Sequence, residues 1–192
     1  MSSREQIMEA IQKNKPRATP LPELPAYASP ADRTELFKTS LALNGGEAIE
    51  VQSLKEVEAW LSSEFSADKI RVSMISDLAG DLDVQKLDDP HELENVEVAL
   101  LEGEWGVAEN AAIWLPEEKL LHRALPFIAQ HLAVVLRKDK ILGNMHEVYQ
   151  RIDVSDPGYG VFIAGPSKTA DIEQSLVIGA HGPRSMKVFL MD

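Results

Sequence analysis

GYGVFIAGPSKTADIEQSLVIGAHGPRSMKVFLMD, residues 158–192, is the stretch that decides the fold. Residues 159–164 and 186–191 are continuous apolar runs rich in β-forming residues, which is typical of strands buried on both faces of a sheet. Between them, residues 169–179 predict a short helix, because acids stand in its first turn and a glycine follows its last. The stretch therefore predicts a strand, helix, strand unit, with a right-handed crossover if the two strands are parallel neighbours.

The turn at residues 165–169 would end the first strand and open the helix. Backbone N–H groups at such a place point outward and favour an anion. Gly165 lets the chain turn there, and Ser167, Lys168 and Thr169 offer two hydroxyls and an ammonium to the same anion. The alternative is a tight turn that only caps the helix. A proline stands where a P-loop needs its lysine, and the second glycine of a nucleophile elbow is missing, so neither of these sites is predicted.

The composition excludes several classes of protein. With 31 acidic against 19 basic residues the net charge is −12, which disfavours nucleic-acid binding. Cysteine is absent, so the chain forms no disulfide, carries no thiolate nucleophile and cannot ligate an iron–sulfur cluster through its own cysteines. The five histidines lack the short spacing of metal ligands, so we predict neither a metal site nor a cofactor. A signal-peptide core and an apolar run of about 20 residues are both missing, so we expect a cytoplasmic protein without a membrane span.

The N-terminal residues predict a helix on a stiff arm. Ser3 and Gln6 fit a capping box at the start of a short amphipathic helix. Residues 15–30 carry five prolines, which favour an extended chain. We expect residues 1–31 to form this helix and arm, and residues 32–192 to form the folded domain. The helix either covers its own sheet or reaches a second copy in a swapped homodimer.

From residue 32 onwards, helical and extended patterns alternate. Helices are predicted at 32–43, 53–65 and 143–152, and residues 117–130 predict one helix kinked at Pro126 or two short helices. Strands are predicted at 48–51, 70–75, 96–101 and 131–136. This alternation is typical of an α/β domain, so we expect a mixed, mainly parallel sheet flanked by helices. The acid-rich residues 77–89 lack the spacing of a calcium loop and predict a solvated loop.

A break between the extended runs 96–101 and 107–115 predicts a hairpin or a bent strand, with Glu109 in the second run. Glycines interrupt the chain at residues 103 and 106, and the apolar pattern then resumes. Glu109 lies next to small alanines, and partial burial would shift the pKa of its carboxyl and make it a general base or a ligand contact. The alternative is an exposed hairpin acid. His181 stands in a turn beside the proposed ligand side of the sheet, where a titrating imidazole could act; the alternative is a turn residue bonded to the backbone.

Two motifs resemble a known family. FIAGPSKTADIE, residues 162–173, followed by GAHGP, residues 179–183, resembles the end of the LUD domain, the family of lactate-utilisation protein C. The resemblance implies an α/β sandwich similar to the sugar-phosphate isomerase and coenzyme A transferase group. Family members commonly carry Ala-Glu-Thr-Gly on the central hairpin, where this chain has Ala-Glu109-Asn110-Ala. Asn110 is therefore the candidate ligand contact at the threonine position, and Lys168 adds a positive charge at the other turn.

The resemblance also implies a function. It places the chain in a cytoplasmic system that oxidises L-lactate to pyruvate, in which iron–sulfur partner proteins carry the electrons. A chain without cysteine fits a non-redox accessory component that binds a small anion or a partner's carboxylate. The alternative is an enzyme of the isomerase or transferase type acting on a small carboxylate, a sugar phosphate or a coenzyme A ester. In that case Glu109 is the base or nucleophile, with His181 near the substrate.

Overall fold

A five-stranded parallel sheet forms the centre of the domain. The computed structural model describes residues 2–20, 22–23, 25, 27–153, 158–170 and 176–192. The order across this sheet is β1 (Glu47–Glu50), β11 (Ser185–Met191), β6 (His131–Arg137), β3 (Val96–Glu102) and β2 (Ile70–Ser73), and all neighbours are parallel. The strands predicted near residues 48, 70, 96, 131 and 186 are therefore confirmed.

The remaining strands of the described residues form two smaller sheets. One has the order β7 (Ile141–Leu142), β4 (Trp105–Val107), β5 (Ile113–Pro116) and β8 (Gly160–Ile163). Its β4–β5 and β5–β8 pairs are antiparallel and its β4–β7 pair is parallel. The other is an antiparallel hairpin of β9 (Lys168–Ala170) and β10 (Leu176–Ile178). A hairpin with Glu109 in its turn is confirmed as β4–β5, but its turn lies at residues 108–112, so the extended run expected over residues 107–115 is wrong.

Helices lie on both faces of the parallel sheet, α2 (Arg33–Leu43) on one and α3 (Leu54–Glu64) on the other. The other helices are α1 (Ser3–Lys13), α4 (Leu125–Ile128) and α5 (Met145–Tyr149), with short 3₁₀ turns at Val84–Lys86, Pro90–Leu93, Glu117–Lys119 and Lys138–Lys140. No helix in the described part of the chain is long and apolar enough to cross a membrane. The predicted fold class, a mixed and mainly parallel sheet flanked by helices, is confirmed.

The central strands β3 and β6 are buried on both faces over residues 98–101 and 132–136, which explains the uninterrupted apolar sequence of these two segments. Along β3, Ala99 and Leu101 join the core cluster that α2 and the smaller sheet cover. Val98 and Leu100 join the opposite cluster under α3. Successive side chains of a strand point to opposite faces, so a strand covered on both sides needs apolar residues at every position.

Local capping signals place most helix starts to within a residue. Asp32 caps α2 by accepting the Glu35 N–H at 3.0 Å. The capping box of α1 uses Ser2 and Glu5, one residue earlier than predicted. The box predicted at Ser53 does not form, because the Ser53 side chain makes no capping bond. A helix start tolerates such shifts, since any of several polar side chains can satisfy its free N–H groups.

The predicted strand, helix, strand unit at the C-terminal end is wrong. Its first strand, β8, pairs antiparallel with β5 in the smaller sheet, whereas its last strand, β11, lies in the parallel sheet. Thr169, where the helix was expected to start, lies in β9 and faces Val177 of β10. The acids expected in its first turn, Asp171 and Glu173, lie outside the described residues. Short helices are marginal without tertiary contacts, and the β-branched residues on either side favour strands.

Helix α1 does not cover the sheet, so that alternative is wrong. None of its side chains is buried, and Ile7, Met8 and Ile11 are each at least half exposed. The arm itself touches the domain near α5, where Tyr27 stacks on His146 with ring centroids 4.4 Å apart. The homodimer contact through this arm stays a prediction.

Candidate functional site

Two turns singled out by the sequence meet at the amino ends of β1 and β11. Asn44, which follows α2, donates from Nδ2 to the Asn110 carbonyl at 2.8 Å. On its other side the Asn44 carbonyl lies against Gly165, where an added Cβ would approach it to 2.8 Å. The Lys168 ammonium lies beside the same helix end, since a Cβ added at Gly45 would be 3.8 Å from Nζ. We call Asn44, Asn110, Gly165 and Lys168 the Asn44 junction.

The hairpin turn of this junction is held by bonds to α2 and to itself. Ser40 Oγ, buried in the last turn of α2, donates to the Ala108 carbonyl at 2.9 Å. Asn110 Oδ1 accepts the Ala112 N–H at 3.0 Å, and Ala111 takes a left-handed φ of 56°. Glycine adopts that backbone without steric cost, so the geometry suits the family's glycine at this position. Asn110 thus has a structural role besides any ligand contact.

Glu109 is exposed, so of its two predicted alternatives the exposed hairpin acid is confirmed and partial burial of the carboxylate is wrong. Its Oε1 accepts the N–H of Met145, the first residue of α5, at 2.8 Å. Its own N–H donates to the Gly143 carbonyl at 3.2 Å. The carboxylate therefore links the hairpin to the start of α5, where acceptors satisfy free N–H groups. The other carboxylate oxygen is open to a substrate or partner.

The second turn does not offer its backbone to an anion as predicted. The Gly165 N–H points at Met186 Sδ, 3.2 Å away, and the Ser167 N–H donates to the Pro183 carbonyl at 2.9 Å. Pro166 has no N–H, and the turn leads into β9 rather than into a helix. The backbone and helix-dipole arguments for anion binding here are therefore wrong, because these donors are used within the fold. Any anion at this turn would have to use side chains.

The side chains of the second turn differ in availability. Lys168 is exposed, and its ammonium forms no ion pair with any described residue. Thr169 Oγ1 makes a long 3.5 Å contact with the Val177 carbonyl across the hairpin. His181 is exposed in the loop before β11, and the next residue, Gly182, packs against Ser167. Among the described residues, Ser167 and the loop that carries His181 therefore lie next to Lys168 of the Asn44 junction.

A second charged site lies at the opposite, carboxyl end of the parallel strands, and the sequence analysis missed it. Glu102 ends β3, Arg137 ends β6, and Lys140 follows in the next turn. Their signal is a charged residue directly after a buried strand, which is where open α/β sheets bind ligands. Arg137 donates to Asp139, and this bond holds the pKa of the Asp139 carboxyl below its ordinary value. Among the described residues, no group of three or more His, Asp or Glu side chains could hold a metal ion.

Comparison with known proteins places the chain in a family. The curated relatives include lactate utilization protein C of Oceanobacillus iheyensis, 24% identical over 105 residues, covering 52% of this chain and 45% of that protein. The uncharacterized protein YkgG of Escherichia coli K12 is 30% identical over 96 residues, covering 47% and 42%. Lactate utilization protein C of Geobacillus kaustophilus is 27% identical over 133 residues, covering 66% and 53%. The chain thus spans about half the length of these relatives.

A solved structure and a family model agree with this comparison. The crystal structure of a DUF162 family protein from Deinococcus radiodurans superposes with a TM-score of 0.63 at 18% identity, covering 85% of this chain and all of that one. This likeness concerns the fold. The model of the LUD domain matches residues 78–191, which include both motifs on which the resemblance rested. The chain belongs to the LUD domain family.

Proposed function

We propose that this chain is a non-redox accessory component of a cytoplasmic system that oxidises L-lactate to pyruvate. Several relatives are named lactate utilization protein C, which supports a role in lactate utilisation. Oxidation releases electrons, and this chain has no cysteine to ligate an iron–sulfur cluster in the usual way. Iron–sulfur partner proteins would therefore carry those electrons, and this chain would bind beside them.

One observation carries the proposed role of the site: Lys168 of the Asn44 junction is exposed, and its ammonium forms no ion pair with any described residue. The whole chain has a net charge of −12, so an anion meets repulsion over most of the surface. At this junction it meets Lys168, the Ser167 hydroxyl and the exposed His181 instead. The ligand is then a small carboxylate or an acidic side chain of a partner, bound by a point charge and a hydroxyl.

The test uses a bacterial host whose own lactate-utilisation protein C has been deleted. We expect the wild-type chain to restore growth on L-lactate, and Lys168→Gln to restore it poorly at equal protein abundance. Lys55→Gln is the matched control, because it removes one exposed lysine from α3, away from the junction. If the wild-type chain does not restore growth, the proposed accessory role in lactate oxidation is wrong. If Lys168→Gln restores full growth, only the proposed anion site at Lys168 is wrong.

The open side of Glu109 favours a second candidate, an isomerase- or transferase-like enzyme. Its carboxylate is exposed and only one oxygen is held by Met145, so the other could take a proton or attack a substrate. This reading rests on the expected likeness to sugar-phosphate isomerases and coenzyme A transferases. Glu109→Gln keeps an oxygen for the Met145 N–H and should fold normally. Turnover of a carboxylate, sugar phosphate or coenzyme A ester by the purified chain, lost in Glu109→Gln, would favour the enzyme over the accessory component.

A further inference from the structure

A pocket of about 360 Å³ opens at the carboxyl ends of β3, β6 and β11, at the opposite end of the sheet from the Asn44 junction. Its floor is apolar and includes the buried side chains of Ile75 and Val135. The volume falls in the lower part of the range for small-molecule sites, roughly 300–1,000 Å³. The position is the one where open α/β sheets bind their ligands. Lactate, with six non-hydrogen atoms, would leave most of this space empty.

The charged groups of the pocket are neutral in sum, unlike the chain as a whole. Three acids and three bases line it, and the acids are Asp77, Glu102 and Glu104. The bases are Lys119, Arg137 and Lys140. Because the chain as a whole has a net charge of −12, an anion meets less repulsion in this neutral pocket than over the remaining surface.

The cations differ in how far they are already engaged. Lys119 Nζ lies 2.9 Å from Glu102 Oε1 and so is neutralised locally. Arg137 is paired with Asp139 through two bonds, from Nε at 3.1 Å and from Nη2 at 3.4 Å, but its side chain is half exposed and its Nη1 has no partner among the described residues. Lys140 lies over the Trp105 ring, with Nζ 4.7 Å from the centroid, and forms no ion pair with a described residue. Arg137 and Lys140 are therefore the groups that can take up an anion.

The acids stand on the other side of the crevice. Because β6 lies next to β3 and β3 next to β2, Arg137 and Lys140 follow one strand, Glu102 follows its neighbour, and Asp77 follows the edge strand. The Asp77 carboxylate makes no hydrogen bond or ion pair within the described residues. A free carboxylate accepts hydrogen bonds and has no donor of its own, so it suits a hydroxyl group. The pocket thus presents cations at one side and carboxylates at the other.

We propose that this pocket binds a small phosphorylated polyol, with its phosphate on Arg137 and Lys140 and its hydroxyls on Asp77 and Glu102. An arginine beside a lysine suits a phosphate, since the guanidinium bonds two oxygens and the ammonium adds a point charge. The apolar floor takes the carbon chain. This inference does not depend on the proposed lactate role, because no residue of the Asn44 junction lines the pocket.

The experiment measures ligand binding by calorimetry and thermal shift on the full chain. D-Glucose 6-phosphate is the probe, and D-glucose, inorganic phosphate and L-lactate are the comparisons. We expect glucose 6-phosphate to bind at least tenfold more tightly than either of its parts. Arg137→Gln and Lys140→Gln should each weaken it about tenfold, whereas Lys13→Gln in the exposed helix α1 should leave it unchanged.

Further outcomes separate the parts of the proposal. Asp77→Asn should lower the preference for glucose 6-phosphate over inorganic phosphate, because an amide is a weaker hydroxyl acceptor than a carboxylate. Equal affinity for both ligands in the wild-type chain overturns the polyol assignment. Absence of binding at millimolar glucose 6-phosphate, or binding that survives the double variant Arg137→Gln Lys140→Gln, overturns the pocket as the site. Circular dichroism confirms that each variant is folded, as expected for exposed side chains.

Discussion

Two glycines with left-handed backbone flank Asn44, and they differ in the space around them. Gly165 has a φ of 98°, and a Cβ there would lie 2.8 Å from the Asn44 carbonyl oxygen. Gly45 has a φ of 82°, but the nearest atom to its added Cβ is Lys168 Cε at 3.5 Å. Both positions resist a side chain through their backbone, and only Gly165 also resists it through a backbone contact.

Alanine substitution should separate these two effects. We expect Gly45→Ala to lower the free energy of unfolding by about 1–2 kcal/mol, the cost of a left-handed alanine. Gly165→Ala should cost about 1–3 kcal/mol for the backbone conformation alone, and more once the Asn44 carbonyl is displaced. Urea denaturation of both variants measures the difference. If both variants lose the same unfolding free energy, the contact between Gly165 and the Asn44 carbonyl is loose enough to accept a Cβ.

His131 is a half-buried histidine whose protonation is linked to folding. Its Nδ1 lies 2.7 Å from Ser185 Oγ, its Nε2 lies 3.6 Å from Glu97 Oε1, and the Phe65 ring packs beside it. Burial is the largest influence and lowers the pKa of the imidazole; Glu97 opposes this, while Arg184 and Lys69 add to it. The folded state therefore binds the proton less readily than the unfolded chain does.

The sign of this linkage predicts acid sensitivity near neutral pH. The stability linked to neutral His131 is complete above the unfolded pKa of about 6.5 and is lost as the pH falls toward the folded pKa. We expect the unfolding free energy of the wild-type chain, compared with that of His131→Gln, to fall by at most about 1.4 kcal/mol per pH unit below this value. Denaturation of both proteins between pH 7 and pH 5 measures it. A constant difference over this range contradicts the prediction.

At the scale of single elements, α5 depends on its cap. Asn144 is buried; its Oδ1 accepts the Glu147 N–H and its Nδ2 donates to Glu147 Oε1, both at 3.1 Å. A helix of five residues gains little from its own hydrogen bonds, so the cap and the contacts of Val148 hold it. Glu109 also bonds the first N–H of α5, which connects this helix to the Asn44 junction.

Removal of the cap should therefore destabilise the protein measurably. We expect Asn144→Ala to lower the unfolding free energy by about 1–2 kcal/mol, since it removes a capping acceptor and leaves polar groups unpaired. Asn144→Ser is the control, because serine caps helices nearly as well, and it should lose about half as much or less. Thermal and urea denaturation measure both variants. If both variants lose the same unfolding free energy, the stabilisation comes from the buried Asn144 amide group and not from its capping acceptor.

The hairpin β9–β10 shows how an element can be misjudged from local pattern. Thr169 to Leu176 carries acids and two apolar residues four apart, which predicts a helix. The described ends of this segment pair instead as strands, because Thr169 faces Val177 and Lys168 faces Ile178. Cross-strand pairs of this kind stabilise the strands, and a prediction from the local sequence pattern does not include them.

At the scale of the whole molecule, the N-terminal helix is separate from the core. All of α1 is exposed, so its removal uncovers no apolar surface of the domain. We expect deletion of residues 1–14 to leave the urea midpoint of the domain unchanged at low protein concentration. A clear fall in the midpoint would contradict this.

The same deletion tests the predicted homodimer. The apolar stripe of Ile7, Met8 and Ile11 is exposed in the single chain, and a second copy would cover it. We expect light scattering to find a larger species for the full chain than for the chain lacking residues 1–14. Identical masses per particle for the two proteins would remove the arm as a dimer contact.

The sequence alone determined the elements whose signals are local. The apolar runs of β3, β6 and β11 were readable, because burial on both faces of a sheet requires apolar residues at neighbouring positions. The motifs of residues 162–173 and 179–183 also identified the family.

Only the tertiary structure decided which strands pair and which side chains meet. It placed β8 in a different sheet from β11, exposed Glu109, used the Gly165 and Ser167 N–H groups within the fold, and gathered Arg137 with Asp77 at one pocket. These outcomes depend on contacts between residues far apart in the chain. A buried strand has the same apolar pattern whichever partner it takes, so the partner follows from the packing of the whole domain.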